Sequence, residues 1–377
     1  MCGHRRPRIT HRPADAHHAV PPLTSRQSAD QVAELDHADN LGGPHVTQPN
    51  PDKAGLIARP TTEEYTGMTT RLGIGLPQNR QYNLGKDVPD VARAAEGIGY
   101  DSVWVYERAL FPEPQTQPLY GVPGLPWPDA YRGVAEPLVT LTLTAAVTER
   151  VELGTAVLVA PLHIPFQLAK SLATLDAASG GRVVAGLGSG WSLDEYAAAG
   201  VRPFEERGKV MDEVFAVCRA VWGPDPVVYE DGRVTRIASA VVGPKPARPI
   251  PILVPANSPR AMRRLVDHAD GWLPYADGPA QVAANWRQLQ DLAAERGRTR
   301  PLRTVVRVNP DYTPKRHEGP DRQPFQGDVE QIVTDLMAYA GIGLDEFLVD
   351  LSWAARDARE LKDVAAEVYA TAGAAGF

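Results

Sequence analysis

The stretch Arg182-Val-Val-Ala-Gly-Leu-Gly-Ser-Gly-Trp191 decides how the rest of the chain is read. Val183 to Leu187 is an apolar run long enough for one buried strand and too short for a helix. It passes directly into Gly188-Ser189-Gly190 and Trp191, then into Asp194 and Glu195, which are expected to cap the next helix. Glycines straight after a strand let the backbone approach something flat or anionic with no Cβ in between. A glycine turn of this kind is equally consistent with tight packing, so its meaning depends on what flanks it.

On both sides the same unit recurs: a short apolar run, a loop, and a helix with one apolar stripe. Strands are expected at Leu72–Leu76, Asp101–Tyr106 and Val151–Leu158 before it, and at Ile250–Val254, Gly271–Tyr275, Thr304–Val308 and Glu346–Leu351 after it. Val88, Val91, Ala95 and Ile98 make the first helical stripe, with Asp87 as its cap and Pro89 in its first turn. Further helices follow at Glu136–Thr148, along Leu168, Leu172 and Leu175, along Val210 to Val221, and from Ser258-Pro259. The last three carry Val282 to Leu292, Val329 to Leu336, and Leu361 to Val368. Eight strands alternating with eight helices over about 300 residues predict an α/β fold, a (β/α)8 TIM barrel. Residues 224–249, with a hairpin turn at Asp231-Gly232, read as an inserted β segment. Phe111 to Arg132 is a long loop of Pro, Gly and aromatics, expected to be an active-site lid.

The totals set bounds on the class. A net charge of -7 argues against nucleic acid or an anionic membrane as the main partner. Cys2 and Cys218 are the only cysteines, so a disulfide framework is not expected and a reducing, cytoplasmic setting is. Six of the nine histidines fall in residues 1–67, among Pro, Asp and Gln with little apolar periodicity. That segment is expected to be an unstructured leader or a start assigned too early, with the barrel domain running from Met68 to Phe377.

In a barrel of this kind the site lies at the carboxyl ends of the strands. The candidates are then Gln78 and Asn79 after strand one, Glu107 and Arg108 after strand two, and Ala156 and Val157 on strand three. Gly188, Ser189, Gly190 and Trp191 follow strand four, and Ala256, Asn257 and Ser258 follow strand five. The sequence offers no Ser-His-Asp trio, no metal-ligand spacing and no GxGxxG; His163, His268 and His317 stand apart, and a structural role is expected for each. Glycine, aromatic surface and helix amino termini suit a large planar cofactor carrying a phosphate. Ser258 opens a helix, and a helix start attracts anions; Arg260, Arg263 and Arg264 follow it, and Arg264 is the one expected on a solvated helix face.

Gly99-Tyr-Asp-Ser-Val-Trp-Val105, Leu153-Gly-Thr-Ala-Val-Leu-Val-Ala-Pro161, Leu175 through Trp191, and Asp270-Gly-Trp-Leu-Pro274 occur in series. Together they resemble the bacterial luciferase-like superfamily, and within it the branch of oxidoreductases using coenzyme F420, a 5-deazaflavin. The resemblance covers about residues 71 to 372. It implies a barrel with a (deaza)flavin at its mouth, hydride transfer at C5, and a strand-three bulge with a non-prolyl cis bond between Ala156 and Val157. Arg260 and its neighbours would face the cofactor's anionic tail. The glucose-6-phosphate dehydrogenases of this branch carry an Asp-His pair after strand two and a Glu after the Gly-Ser/Thr-Gly turn. Here those places hold Glu107-Arg108 and Trp191, so a paired histidine and a second glutamate are not expected in the site. The loop after strand five is commonly Gly-Gly in the branch and is Pro255-Ala256 here.

Three readings stay open: a coenzyme F420-dependent oxidoreductase, an FMN-dependent luciferase-like monooxygenase, and a non-catalytic flavin-binding barrel. The excess of Arg over Lys, 32 against 7, points to a high-GC genome, where deazaflavin users are frequent. The expected partners are a small-molecule substrate and a second copy in a homodimer. Proton transfer is expected from Glu107, with Arg108 and Trp191 completing the catalytic group; Tyr106, Tyr120 or water are the other sources.

Overall fold

The computed structural model describes residues Thr70–Phe377; the expected leader and the start at Met68 lie outside the described residues. The parallel sheet runs in the order β3-β2-β1-β13-β10-β9-β8-β5-β4, and a β3–β5 pairing closes it. Its strands are β1 (Arg71–Gly75), β2 (Ser102–Val105), β3 (Glu152–Thr155), β4 (Leu158–Val159), β5 (Val183–Gly188), β8 (Ile252–Val254), β9 (Gly271–Trp272), β10 (Arg303–Val308) and β13 (Glu346–Val349). β3 and β4 are one barrel strand interrupted at Ala156–Val157, where the peptide bond is cis as the resemblance implies. This is an α/β (β/α)8 TIM barrel, ringed by α1 (Leu84–Ile98), α2 (Pro137–Ala145), α3 (Pro165–Ser179), α5 (Arg207–Trp222), α6 (Pro259–His268), α7 (Pro279–Glu295), α8 (Val329–Met337) and α9 (Ala358–Ala375).

Strand alternation sorts the core into two layers. Trp104, Ala156, Val184, Leu253, Leu273, Val305 and Leu348 point inward and fill the barrel. Their neighbours, such as Val103, Val183, Ile252 and Val306, pack outward against the helices. On β1 the inward positions are Gly73 and Gly75, where any side chain would collide with Trp104 or Asp350. The amino-terminal end is sealed by charge: Arg303 Nη2 lies 2.6 Å from both Glu152 Oε2 and Glu346 Oε2, and Arg71 Nη2 lies 2.8 Å from Glu152. That leaves the opposite end as the open one.

Several boundaries differ from those expected. α1 begins at Leu84, not at Asp87, and places Pro89 inside the helix. Asp87 still serves the helix start, because its carboxylate accepts the Asn83 N–H at 2.8 Å. The segment 224–249 contains an antiparallel hairpin of β6 (Val227–Tyr229) and β7 (Ile237–Ala240). Its connection is longer than a two-residue turn at Asp231-Gly232 would make it. The Glu213 carboxylate holds that connection by accepting the N–H groups of Arg233, Val234 and Thr235 at 2.8–3.1 Å. A small helix, α4 (Leu193–Ala199), follows Trp191, and a short parallel pair, β11 (Asp311–Tyr312) with β12 (Gln326–Gly327), orders part of the loop after β10.

Candidate active site

The carboxyl ends of β1 and β2 are spliced by Gln78. Its amide donates to the Tyr106 carbonyl at 2.5 Å and accepts the Tyr106 N–H at 2.9 Å. Asn79, 1% exposed, donates from Nδ2 to the Tyr106 hydroxyl at 2.8 Å, while its Oδ1 is buried without a hydrogen-bond partner. These amides therefore brace the Tyr106 backbone and phenol.

The sequence reading of His163 as isolated and of Glu195 as a cap needs correcting. Glu107 has a histidine partner: His163 Nε2 lies 2.8 Å from Oε1, and Oε2 accepts the Val159 N–H at 2.6 Å. His163 follows β4, so it is 56 residues away in sequence yet adjacent in the barrel, and it is not isolated. Burial pushes the imidazole pKa down, but the hydrogen bond and charge of Glu107, helped by Glu136, raise it above the ordinary value near 6.5. Trp191 holds the place after the glycine turn, and a different acid is buried nearby. Glu195 is 1% exposed, with Oε2 3.2 Å from Arg108 Nη1 and Oε1 accepting the Ala109 N–H at 2.8 Å. Burial raises its carboxyl pKa, an effect that Arg108 partly offsets. So Glu195 does not cap α4; Ser192 does, accepting the Glu195 N–H at 3.3 Å.

Arg108 is enclosed in aromatic rings, its guanidinium 4.9 Å from the Trp191 centroid, 5.2 Å from Tyr131 and 5.8 Å from Trp127. Tyr131 and Trp127 belong to the loop that sequence marks as a lid, and Gln117 in the same loop fastens it down. The Gln117 side chain donates to the Trp191 carbonyl at 2.9 Å and accepts the Leu193 N–H at 3.0 Å. Trp191 thus walls the mouth and packs 4.7 Å from Trp127.

The glycines after β5 have a specific neighbour. A Cβ on Gly188 would stand 2.5 Å from Val157 Cγ2, and one on Gly190 would meet Val159. Gly190 also has φ +70°. These glycines let the bulge at Ala156 and Val157 lie against β5, which is the packing alternative that sequence left open. Ser189 is half-buried, and its carbonyl accepts the Tyr196 hydroxyl.

Behind the bulge stands a residue sequence reading missed. Arg307, 4% exposed, donates to the Ala156 carbonyl, pairs with Asp350 Oδ2 at 2.7 Å, and donates to Asn309 Oδ1 at 3.0 Å. Alternation along β10 could have found it, since Val305 points inward and Arg307 is the next inward position. Across the mouth, Ala256 is buried, Asn257 is exposed, and Ser258 accepts the Ala261 N–H at 3.2 Å as the cap of α6. The first turn of such a helix leaves N–H groups without intrahelical partners. Arg260 and Arg263 are exposed beside it, whereas Arg264 turns away to pair with Asp212 at 2.6 Å.

The chain matches the model of the family described as luciferase-like monooxygenase over residues 69–346. It is 36% identical over 211 residues to an uncharacterized protein of Mycobacterium tuberculosis, covering 55% of this chain and 73% of that protein. It is 29% identical over 205 residues to an F420-dependent glucose-6-phosphate dehydrogenase of Amycolatopsis mediterranei, covering 54% of this chain and 57% of that enzyme. In fold it is similar to an F420-dependent secondary alcohol dehydrogenase solved in complex with an F420-acetone adduct: TM-score 0.64, 18% identity, 81% of this chain and 99% of that chain covered.

Proposed function

The chain belongs to the luciferase-like monooxygenase family, and we propose that within it this protein is a coenzyme F420-dependent oxidoreductase acting on a small organic molecule. The observation that carries this reading is the Glu107–His163 pair at the carboxyl end of β2. Exchange of a hydride with a carbonyl or alcohol requires a proton to be delivered or taken at the oxygen, and a carboxylate-held imidazole does that near neutral pH.

The residues present fit the cofactor. The Ser258-capped start of α6, with Arg260 and Arg263 exposed beside it, would take the phosphate and anionic tail. Ala156, Val157, Gly188, Ser189 and Gly190 would back the ring system, with Ala256 and Asn257 at the phosphate end. The deazaflavin supplies a hydride acceptor or donor that does not activate oxygen. Trp191 and Arg108 would form the wall facing the substrate.

The test separates charge from capping. Ser258→Asp keeps an effective helix cap but sets a carboxylate against the phosphate, whereas Ser258→Ala only weakens the cap. Titration followed by deazaflavin absorbance should show a larger loss of affinity for Ser258→Asp than for Ser258→Ala. Equal affinities would move the phosphate site away from α6.

A further inference from the structure

Glu107 and Arg108 are adjacent in sequence and opposite in charge, yet each is paired elsewhere. Glu107 takes His163 at 2.8 Å, and Arg108 takes Glu195 at 3.2 Å. The side chains of Glu107, Arg108 and Glu195 are each more than nine-tenths buried. Charges at this depth act on one another with little screening by solvent. The Arg108 side chain also lies against residue 107, its Nε donating to the Glu107 carbonyl at 3.2 Å. Burial raises the Glu195 carboxyl pKa, Arg108 opposes that, and the charge of Glu107 adds to it, so the two acids sense each other. His163 faces Glu107 at the end of β2 and Glu136 at the start of α2.

Two cations therefore compete for the charge of Glu107: the imidazolium of His163 and the guanidinium of Arg108, which never gives up its proton. Glu195 decides that competition. With its carboxylate on Arg108, the charge of Glu107 is left to the imidazole. We propose that Glu195 is a positioning residue for proton transfer, which holds and neutralises Arg108 so that Glu107 serves His163. It acts through Arg108 and touches neither substrate nor cofactor in doing so. A purely structural role is the competing explanation, because Glu195 also accepts the Ala109 N–H at 2.8 Å and anchors the base of the loop 109–134.

The proposal rests on the proton-transfer role given above to the Glu107–His163 pair, and its experiment reads the histidine itself. The full chain is titrated across neutral pH without cofactor, and the His163 ring protons are followed by NMR, assigned with a His163→Asn variant. Glu195→Gln keeps an acceptor for the Ala109 N–H and removes the charge. The His163 midpoint should fall by roughly one pH unit, because Arg108 then draws on Glu107. Removing the guanidinium as well, in Arg108→Met with Glu195→Gln, should restore the wild-type midpoint, which a lost backbone anchor would not do. Arg108→Met alone should leave the midpoint at or above that of the wild type, and this variant carries the test if Glu195→Gln does not fold. An unchanged midpoint in Glu195→Gln would overturn the proposal. So would a fall that the double variant does not reverse, or a fall in Arg108→Met. Failure of the proton-transfer reading would show elsewhere, as unchanged turnover in Glu107→Gln.

Discussion

Glu107 and His163 carry the proposed chemistry, and their pairing makes a pH-dependent prediction. Because Glu107 raises the His163 pKa above 6.5, the imidazolium persists to higher pH than a free histidine would. In the direction of carbonyl reduction, turnover should fall as pH rises through that raised value. Glu107→Gln should lower turnover roughly 10²-fold and move this limb to lower pH, while the fold is kept. The same shift bears on stability: the pair's contribution is fully present below the unfolded histidine value and is lost as pH rises through the folded one. A pH–rate profile that does not move in Glu107→Gln would reduce Glu107 to a brace for Val159. Arg307 permits a different test. Arg307→Leu leaves Asp350, 3% exposed, with no counter-ion and only Ser352 as a hydrogen-bond partner, and should cost about 3–5 kcal/mol in denaturant unfolding. The double variant Arg307→Leu with Asp350→Leu should recover part of that loss; no recovery would mean that the Ala156 carbonyl, not the carboxylate, is the partner that matters. Glu107 was legible in the sequence because it stands directly after an apolar strand. His163 was not, because its partner is reached across β2 and β4 and not along the chain. Glu195 reads as a cap in sequence because an acid near a helix start ordinarily acts there, and only the fold brings Arg108 against it.

At the scale of elements, the β5 turn is a packing device as well as a site wall. Close approach to the protein is met at Gly188 by Val157 and, inside β5, at Gly186 by the Thr155 carbonyl. Gly188→Ala presses on a side chain that can shift and should cost about 1–3 kcal/mol. Gly186→Ala presses on backbone and should cost more, so its Tm should fall further. Equal Tm values would show that β3 and β5 are not held as closely as the register implies. The strand and helix stripes were readable because burial on one face imposes a period on the sequence. The start of α1 is not legible because Asp87 acts from inside the helix on the Asn83 N–H, so the acid that marks the helix start is not its first residue. The connection of the β6–β7 hairpin was missed for a similar reason, since the residue that closes it, Glu213, belongs to α5.

For the whole molecule, closure of the parallel sheet by β3 and β5 gives the barrel two unlike ends. One is sealed by the Arg71, Arg303, Glu152 and Glu346 network, and the other gathers Glu107, His163, Arg108, Trp191 and the start of α6. Sequence periodicity predicts this architecture, since eight repeated units bury their apolar faces most completely by closing. Among the described residues, no helix is long and apolar enough to cross a membrane. What periodicity does not carry is the choice of cofactor, because a deazaflavin and a flavin place similar rings against the same backbone. Oxygen separates them. The full chain is titrated anaerobically with coenzyme F420 and, in parallel, with FMN, and absorbance is followed as candidate carbonyl, alkene or alcohol substrates are added. The reading proposed here predicts saturable F420 binding and substrate-dependent turnover of the deazaflavin with oxygen excluded. Binding of FMN in place of F420, with turnover that begins only when oxygen is admitted, would contradict it.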